Sequence, residues 1–400
     1  MVLSFDYVII GGGIVGLAIA RKLRSREYDA RILILEKENA LGLHGSGRNS
    51  GVLHSGIYYP ENSLKARICA AGSMAMASYC DEYGLPINRI GKVIVPVRER
   101  DDPQVDLLAR RAVSNGADVE ILDEQQLRDV EPEAHSVSGR ALFSPGTSVV
   151  DPMAVLAHLS KDLQELGVEV KLGSRIEAVD PLCSEIQVSG VRYSYGVLFN
   201  AAGQHADSIA RLFGVGGQYT MIPFRGKYYK VASSAGINLK RLVYPVPGLE
   251  MPFLGIHTVT TISGDSYFGP SAIPAFGREH YAGIKGMRIN EAFVTISHLA
   301  QHYVDNKQGF RPYVHAEVGR FLKRQFFKAA KQLVPQLQVT DLTAADKVGI
   351  RAQLYDKKHK MLVTDFLIEK KENSIHVLNA ISPAFTCAFK MAEEIVDANR

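Results

Sequence analysis

The first forty residues alternate between short apolar runs and a glycine-rich turn. Apolar residues over 6–10 predict a strand, the glycines of 11–16 a turn, and residues 17–24 the continuation of a helix. A second apolar run over 31–35 predicts another strand. This order indicates a β-α-β unit of the parallel, doubly wound kind.

Beyond this unit the pattern is less regular. Residues 39–60 are rich in Gly, Ser, His and Tyr and lack a hydrophobic period, which indicates a long functional loop. The pattern then predicts a helix over 63–83, a strand over 92–97, and helical segments over 101–130 that are broken at Asn115-Gly116. A helix from Pro152 to about 166 is predicted with Asp151 as N-cap, followed by strands over 168–172 and 197–200.

The second half changes character at about residue 221. Strands rich in Tyr, Val and Thr and separated by prolines run to about 270 and predict an antiparallel sheet. Helices are then predicted over 291–303 and 314–333, followed by a short segment over 349–353, a strand over 375–378 and a last helix from about 384.

Composition narrows the class of protein. The chain has 400 residues, is 46% hydrophobic and 22% charged, and has no apolar run long enough to span a bilayer. A net charge of +4 is too small to indicate a nucleic-acid partner. The cysteines lie far apart and include no CxxC pair, which excludes a dithiol motif or zinc knuckle and suits a reducing, cytoplasmic compartment. We expect no metal.

The glycine turn carries the clearest chemistry. Residues 11–16, Gly-Gly-Gly-Ile-Val-Gly, fit the pattern G-x-G-x-x-G. Gly11 permits the tight turn, Gly13 lets the backbone approach a pyrophosphate, and Gly16 allows close helix–strand packing. Glu36, which ends the second strand, is predicted to bind the ribose hydroxyls.

The cofactor is predicted to be FAD. Small residues over 44–51 offer backbone donors to a flavin's second phosphate and ring, and the strand over 197–200 ends in small residues that can adjoin a dinucleotide. No second G-x-G-x-x-G occurs, so a separate NAD domain is not expected. The predicted cofactor-binding residues are Gly11, Gly13, Ile14, Val15, Gly16, Glu36, Lys37, Ser46, Gly47, Arg48, Asn49, Ser50, Gly51, Ala201, Ala202 and Gly203.

These patterns predict an α/β fold in which a Rossmann-type FAD-binding domain is interleaved with an antiparallel-sheet α+β substrate domain. The FAD-binding domain is predicted to comprise residues 1–90, 151–220 and 336–400. The substrate domain is predicted to comprise residues 91–150 and 221–335.

Further motifs lie along most of the chain. They cover residues 49–59, 63–66, 91–95, 223–226, 244–247, 252–257, 269–270, 349–353, 379–380 and 382–384. On these motifs the chain resembles the D-amino-acid-oxidase-like superfamily of flavoproteins, and more closely its family that oxidises L-2-hydroxyglutarate. The motif around His54 and the one over 244–257 are specific to that family, whereas the glycine motif is not.

The resemblance implies FAD-dependent oxidation of L-2-hydroxyglutarate to 2-oxoglutarate by hydride transfer to flavin N5. Electrons would pass to oxygen or to a membrane quinone. The segment around Arg351 and the residues Ser382, Pro383 and Ala384 would fold back onto the isoalloxazine ring. The chain departs from the family pattern over 258–260 and 277–280, near the expected substrate side.

Such a reaction needs a base for the hydroxyl proton and cations for the carboxylates. His54 and His257 are the candidate bases, since an imidazole titrates near neutral pH, and either could instead hold a carboxylate. Arg225 and Arg351 could each pair with a carboxylate through two parallel hydrogen bonds.

Three residues are predicted to bind the substrate. Tyr58 and Tyr59 could cap the pocket by hydrogen bonding, or could equally be packed aromatics at a domain junction. Gln353 belongs to the motif over 349–353 and is predicted to be the third.

Other functions stay open at this point. The chain could be an amine or glycerol-3-phosphate oxidoreductase of the same superfamily, or a non-catalytic flavin-binding partner protein. A covalent flavin bond at His44 is conceivable but is not required by the resemblance. The basic and aromatic segment over 321–328 could contact the inner face of a membrane peripherally, although a core-facing aromatic stripe is the simpler interpretation.

Overall fold

A computed structural model describes residues 2–249, 253–320 and 322–398. The chain folds into two compact units. The first unit comprises Met1–Asn49, Pro152–Pro223 and Arg351–Arg400, and the second comprises Ser50–Asp151 and Phe224–Ile350. The interleaved order of segments matches the predicted fold class.

The elements are as follows. The strands are β1 Val2–Ile10, β2 Ile32–Leu35, β3 Val52–Leu53, β4 Ile87–Asn88, β5 Lys92–Val95, β6 Glu120–Leu122, β7 Ala141–Ser144, β8 Ser148–Val150, β9 Glu169–Lys171, β10 Ile176–Asp180, β11 Glu185–Val188, β12 Val191–Asn200, β13 Tyr219–Val231, β14 Leu242–Pro245, β15 His257–Thr260, β16 Ser266–Gly269, β17 Ile273–Pro274, β18 Leu342–Asp356, β19 Met361–Leu362, β20 Leu367–Lys371 and β21 Ser374–Asn379. The helices are α1 Ile14–Arg26, α2 Leu64–Glu82, α3 Pro103–Ser114, α4 Glu124–Val130, α5 Pro152–Glu165, α6 Ala206–Leu212, α7 Ile289–Asp305, α8 Phe310–Gly319, α9 Lys323–Leu333 and α10 Ala384–Asp397.

The first unit is built on a sheet in which β1 lies between β12 and β2, with β9 beyond β2. These neighbours are parallel, and β21 runs parallel to the end of β12. Every residue of β2 is buried, as expected for a parallel sheet covered on both faces. The register places Ile10 opposite both Leu35 and Asn200, so the chain leaves these strands at one edge of the sheet.

The second unit contains a four-stranded sheet in the order β14-β5-β7-β6 and a three-stranded sheet β3-β8-β4. Its third sheet pairs β15, β16 and β13 antiparallel, as predicted for residues 221–270. The strand β14 instead pairs parallel to β5. Alternate residues of β14 and β5 face separate hydrophobic clusters: Val93 and Val243 lie in one, and Ile94 and Tyr244 in the other.

The unit boundaries differ from the predicted division over two long segments, besides shifts of one residue at Asp151 and three residues at 221–223. Residues 50–90 belong to the second unit because β3 and β4 both pair with β8. Residues 336–350 also belong there, since Leu342 packs into a hydrophobic cluster with Val93 and Phe326. The strand pairing and the cluster contact both involve residues that are far apart in sequence, so the local hydrophobic pattern does not predict them.

Local boundaries differ as well. The predicted helical segment over 101–130 contains β6 between α3 and α4. Gly116, at φ +76°, ends the first of these helices, and a capping box of Asp123 and Gln126 starts the second. The segment over 314–333 is likewise two helices, α8 and α9.

The basic and aromatic segment over 321–328 is core-facing where the structure describes it. Phe326 is buried against Tyr229, with ring centroids 4.7 Å apart, whereas Lys323, Arg324 and Lys328 are exposed. Phe321 lies outside the described residues, as does Pro252 of the motif over 252–257. Within the described ranges, no helix combines the length and apolarity needed to cross a membrane.

Candidate functional site

The glycine turn joins β1 to α1 through contacts that exclude side chains. Gly11 has φ +109°, and a Cβ added there would lie 2.5 Å from the carbonyl oxygen of Ala201. A Cβ added to Gly16 would lie 2.0 Å from the carbonyl oxygen of Gly11. Strand, turn and helix therefore meet backbone to backbone, which brings the N-terminus of α1 to the carboxyl edge of the sheet.

The N-terminus of α1 fits the pyrophosphate of a dinucleotide. Gly13 caps the helix without a side-chain hydrogen bond, and the first turn carries no acidic residue. A Cβ added to Gly13 would meet only the Oγ of Ser46, at 2.9 Å, which also accepts a hydrogen bond from the Ile14 N–H at 3.0 Å. Open space beside helix N–H groups is the arrangement that binds phosphate.

Glu36 connects this turn to the loop after β2. Its Oε2 accepts a hydrogen bond from the Gly12 N–H at 2.9 Å, and its Oε1 accepts one from the Glu38 N–H at 3.0 Å. Each carboxylate oxygen can accept more than one bond. The carboxylate is therefore held in place with capacity left for ribose hydroxyls.

The loop after β2 contains a cluster of polar side chains. The Gln204 amide donates to Nδ1 of His44 at 3.2 Å, and Nε2 of His44 lies 2.9 Å from Oε1 of Glu38. Hydrogen bonds from Lys37 and His44 lower the pKa of Glu38. Both ring nitrogens of His44 are thus engaged, which argues against a covalent flavin bond there. No motif in the sequence indicated Gln204 or Glu38 as members of this cluster.

Other predicted loop residues form hydrogen bonds that involve backbone atoms of the unit to which they belong. The Arg48 Nε donates to the Leu43 carbonyl at 2.7 Å, and the Asn49 amide donates to the Ser46 carbonyl at 2.6 Å. Gly51, in the second unit, accepts from the Val150 N–H at 2.9 Å. These bonds fix the backbone conformation of residues 43–51.

A buried network at the end of β12 holds the turn that contacts Gly11. The Asn200 side chain accepts from the Ala202 N–H and donates to the Ala206 carbonyl and to Nδ1 of His376, at 3.2, 2.8 and 3.1 Å. Burial lowers the pKa of His376 to about 4, so the imidazole is neutral. This network positions Ala201, Ala202 and Gly203, and sequence reasoning missed it.

The C-terminal segment contributes the remaining predicted residues of the first unit. Arg351 is half-buried on β18, and Ser382, Pro383 and Ala384 lie at the start of α10. Gln353 is fully buried, and its amide nitrogen donates to the Val363 carbonyl. Its Oε1 has no hydrogen-bond partner among the described residues and could accept one from a ligand.

In the second unit, buried contacts fix the loop after β3. The Cys69 thiol donates to the His54 carbonyl at 3.2 Å. The Asn115 amide donates to the carbonyls of Gly56 and Tyr59, at 2.8 and 3.0 Å. The His54 side chain is 8% exposed. Two helices, α2 and α3, therefore hold the predicted residues His54, Tyr58 and Tyr59 in a fixed loop.

His257 begins β15 in a defined tautomer. Its Nδ1 lies 2.8 Å from the Gly255 carbonyl oxygen, which can only accept, so Nδ1 carries a proton and the neutral form of the ring has its acceptor lone pair on Nε2. The ring stacks on Tyr244 with centroids 4.0 Å apart and planes inclined by 22°. Arg225, the other predicted site residue of this unit, is half-buried on β13 opposite Ile273.

Lys92, the first residue of β5, is a charged group that sequence reasoning left without a role. The side chain is fully buried, and Nζ lies 4.8 Å from the Tyr58 ring centroid and 5.2 Å from that of Tyr244. Burial lowers the pKa of Lys92 to about 7. The signal in the sequence was a lysine at the start of the otherwise apolar run Lys-Val-Ile-Val.

Comparisons with known proteins agree with this geometry. The family model described as FAD dependent oxidoreductase, DAO, matches residues 6–398. The chain therefore belongs to this family of FAD-dependent oxidoreductases, and FAD is its cofactor. The structure of L-α-glycerophosphate oxidase from Mycoplasma pneumoniae with FAD bound has the same fold. Its TM-score is 0.78 at 21% identity, with coverage of 98% of this chain and 94% of that one.

Curated relatives are similar over nearly the whole chain. An L-2-hydroxyglutarate dehydrogenase from Indibacter alkaliphilus is 34% identical, covering 99% of this chain and 98% of that protein. The L-2-hydroxyglutarate dehydrogenase of Escherichia coli K12 is 32% identical, covering 98% and 92%.

We predict that Gly13→Ala lowers FAD binding without unfolding the protein. The added methyl group meets only a serine hydroxyl but occupies the space beside the helix N-terminus. The purified variant should show a flavin absorbance per protein reduced at least tenfold, with a far-ultraviolet circular dichroism spectrum like that of the wild type.

The matched control is Gly217→Ala, at an exposed glycine of the same unit where an added Cβ meets nothing within 4 Å. This variant should keep full flavin content. Equal flavin content in Gly13→Ala and Gly217→Ala would show that the space beside Gly13 is not the phosphate site.

We predict that Lys92→Met stabilises the apoprotein against unfolding more at pH 7 than at pH 10. An unfolded lysine has a pKa of about 10.4, so between pH 7 and 10 the unfolded chain binds more protons than the folded one and wild-type stability rises with pH. Removal of the ammonium should raise the free energy of unfolding by roughly 4 kcal/mol at pH 7, and this increase should become smaller towards pH 10.

The measurement is the urea midpoint of both proteins at pH 7, 8.5 and 10, where all other titrating groups are shared. A constant difference between the two midpoints across this range would contradict the lowered pKa of Lys92.

Proposed function

We propose that this chain oxidises L-2-hydroxyglutarate to 2-oxoglutarate and passes the electrons to oxygen or a quinone. The identity of the substrate is supported by the near full-length similarity to L-2-hydroxyglutarate dehydrogenases. When bound, FAD supplies the acceptor for the hydride that leaves C2. The protein has to supply the base, the carboxylate partners and the orientation of the hydroxy acid.

The observation that carries the proposal is the tautomer of His257. A base for the C2 hydroxyl needs an unprotonated nitrogen, and the hydrogen bond from Nδ1 to the Gly255 carbonyl directs the acceptor lone pair to Nε2. The Tyr244 ring fixes the plane of the imidazole by stacking. We therefore assign the proton transfer to Nε2 of His257.

The remaining site residues are assigned by their chemistry. His54 and Arg225 would bind a carboxylate, and Arg351 would pair with a carboxylate through its planar guanidinium. Tyr58 and Tyr59 would shape the pocket, with their rings edge to face at 6.4 Å. Two carboxylates of a dicarboxylic hydroxy acid could each pair with one of these cationic side chains, whereas glycine has only one carboxylate to pair.

We predict that L-2-hydroxyglutarate bleaches the flavin absorbance band of the holoenzyme under anaerobic conditions. D-2-Hydroxyglutarate, sn-glycerol 3-phosphate and glycine, at the same concentration, should leave the band oxidised. Faster bleaching by the phosphate or the amino acid would redirect the assignment to another activity of the superfamily. A band that no small acid bleaches would favour a non-catalytic flavin-binding partner.

The same assay tests the base. His257→Asn should slow flavin reduction by about 10²- to 10⁴-fold, the range for loss of a general base. The matched control is His315→Asn, at an exposed histidine of α8. Equal rates for the two variants would remove His257 from the proton transfer.

We further propose peripheral contact with a membrane through α7 rather than through the segment over 321–328. Three apolar residues spaced for one helix face, Ile289, Phe293 and Ile296, are 92%, 73% and 55% exposed. Lys285 and Arg288 are exposed just before the helix. An apolar face beside cations suits an anionic lipid surface, where a quinone would be found.

We predict that the protein sediments with vesicles that contain phosphatidylglycerol and much less with phosphatidylcholine alone. Phe293→Glu should reduce sedimentation by about tenfold, because a charge replaces the largest exposed apolar side chain of the face. Leu182→Glu, at a 92% exposed leucine of the other unit, is the control and should sediment as wild type. Equal sedimentation of both variants would rule out α7 as the contact.

A further inference from the structure

Lys92 occupies an environment that is unfavourable for a charge. Its side chain is fully buried, and its Nζ has no hydrogen-bond partner within the part of the chain that the structure describes. The neighbouring hydrophobic cluster includes Tyr58, Ile94 and Tyr244. A lysine in such a position is rarely retained for stability, since an apolar side chain of the same length would fit without desolvation.

Among the described residues, the groups that face Lys92 come from four elements, and none of these groups is a carboxylate. Tyr58 lies in the loop after β3, Tyr244 in β14, and the Cys69 thiol in α2. Ser144 lies directly opposite on β7. Within the described residues, the ammonium is therefore stabilised by the faces of two tyrosine rings and by no carboxylate, a cation–π arrangement that strengthens when water is excluded.

The Tyr244 ring connects Lys92 to the candidate base. Nζ of Lys92 lies 5.2 Å from the ring centroid, and the His257 ring stacks on the same tyrosine at 4.0 Å. The ammonium and the imidazole centroid are therefore at most about 9 Å apart, with protein rather than water around the lysine.

We propose that Lys92 is a positioning residue whose buried charge holds His257 in the neutral form that accepts the substrate's proton. This inference rests on the proposed function for the role of His257 as base. Lys92 itself contacts neither substrate nor reacting atoms. It acts through the electrostatic potential at the imidazole, with Tyr244 as the common neighbour.

The sign of the effect follows from Coulomb's law. A second positive charge on His257 is disfavoured while Lys92 is protonated, so the two groups titrate as a coupled pair. Burial lowers the pKa of Lys92 to about 7, so the ammonium is present over the acid range in which an unperturbed histidine imidazole, with a pKa of about 6.5, gains its proton. His257 then stays neutral at a lower pH than it would beside a neutral residue.

The described titratable groups that the sheet register places near His257 are uncharged or paired, and Arg225, assigned above to a substrate carboxylate, is unchanged in Lys92 variants. Tyr244 faces it from β14. The register places Tyr267 of β16 on the same face of the sheet, and Tyr228 of β13 packs against Gly269, the residue opposite His257. Tyrosine hydroxyls are uncharged near neutral pH. Lys230, opposite Tyr267, is paired with Asp265 at 2.8 Å.

The test compares the wild-type holoenzyme with Lys92→Met and Lys92→Gln, which remove the charge with two different side chains. The acid limb of kcat/KM for L-2-hydroxyglutarate should move up by about one pH unit in both variants, as expected for one charge at about 9 Å. The rate should fall several-fold at pH 5.5 and stay unchanged above pH 8.

A second readout does not depend on turnover. Histidine labelled with ¹³C at Cε1 reports the titration of His257 by nuclear magnetic resonance, and the His257→Asn variant assigns its signal. The midpoint of this titration should rise by the same pH unit in Lys92→Met and Lys92→Gln. Lys331→Met is the control, because it removes a lysine that lies 5.5 Å from an aromatic ring of α9 in the same unit. It should change neither readout.

Three results would overturn the proposal. Loss of rate by the same factor at every pH, with an unchanged His257 titration, would mean that Lys92 only supports the fold. A raised KM with an unmoved acid limb would mean that Lys92 binds the substrate. An unmoved His257 titration in a folded variant would exclude the electrostatic coupling. This result does not depend on turnover, so it can be told apart from a failure of the proposed function, in which L-2-hydroxyglutarate does not reduce the flavin.

Discussion

The first unit depends on a contact between backbones at Gly11. The carbonyl oxygen of Gly11 lies against the Cα of Gly16, and the carbonyl oxygen of Ala201 lies against the Cα of Gly11. No side chain larger than hydrogen fits at either glycine. This approach lets β1, β12 and α1 meet at one edge of the sheet, and it orients the helix N–H groups toward the space beside Gly13 that we predict to hold the pyrophosphate.

Two buried titratable groups, His376 and Lys92, differ in whether hydrogen bonds satisfy their polar atoms. His376 is neutral, and its Nδ1 accepts a hydrogen bond from Asn200 while its Nε2 lies 3.1 Å from the Ser374 hydroxyl. Its burial therefore costs little and orders the turn at 200–206. Lys92 is buried as completely, but among the described residues its ammonium has no hydrogen-bond partner and faces two tyrosine rings. Burial of the Lys92 ammonium costs free energy of folding that no hydrogen bond within the described ranges offsets. Such a cost indicates a functional role more strongly than the hydrogen-bonded burial of His376 does.

Sequence patterns predicted the parts of the site that are local. The glycine turn, Glu36 and the small residues after β12 follow from motifs whose residues are close along the chain, and the family model confirmed FAD. The Asn200–His376 bond joins residues 176 positions apart, and the stack of Lys92, Tyr244 and His257 requires that β14 pair parallel to β5. Such pairings depend on tertiary packing, so a single sequence contains no periodicity that predicts them.

The two ordered histidines also show why hydrogen-bond partners decide chemical roles. A backbone carbonyl can only accept, so Gly255 forces the proton of His257 onto Nδ1 and leaves Nε2 as the acceptor. An amide nitrogen can only donate, so Asn200 forces the opposite tautomer on His376, whose Nε2–H then points to a serine. Full burial closes His376 to any substrate. The sequence left both His54 and His257 as candidate bases, and the carbonyl partner of Nδ1 is the reason for proposing His257.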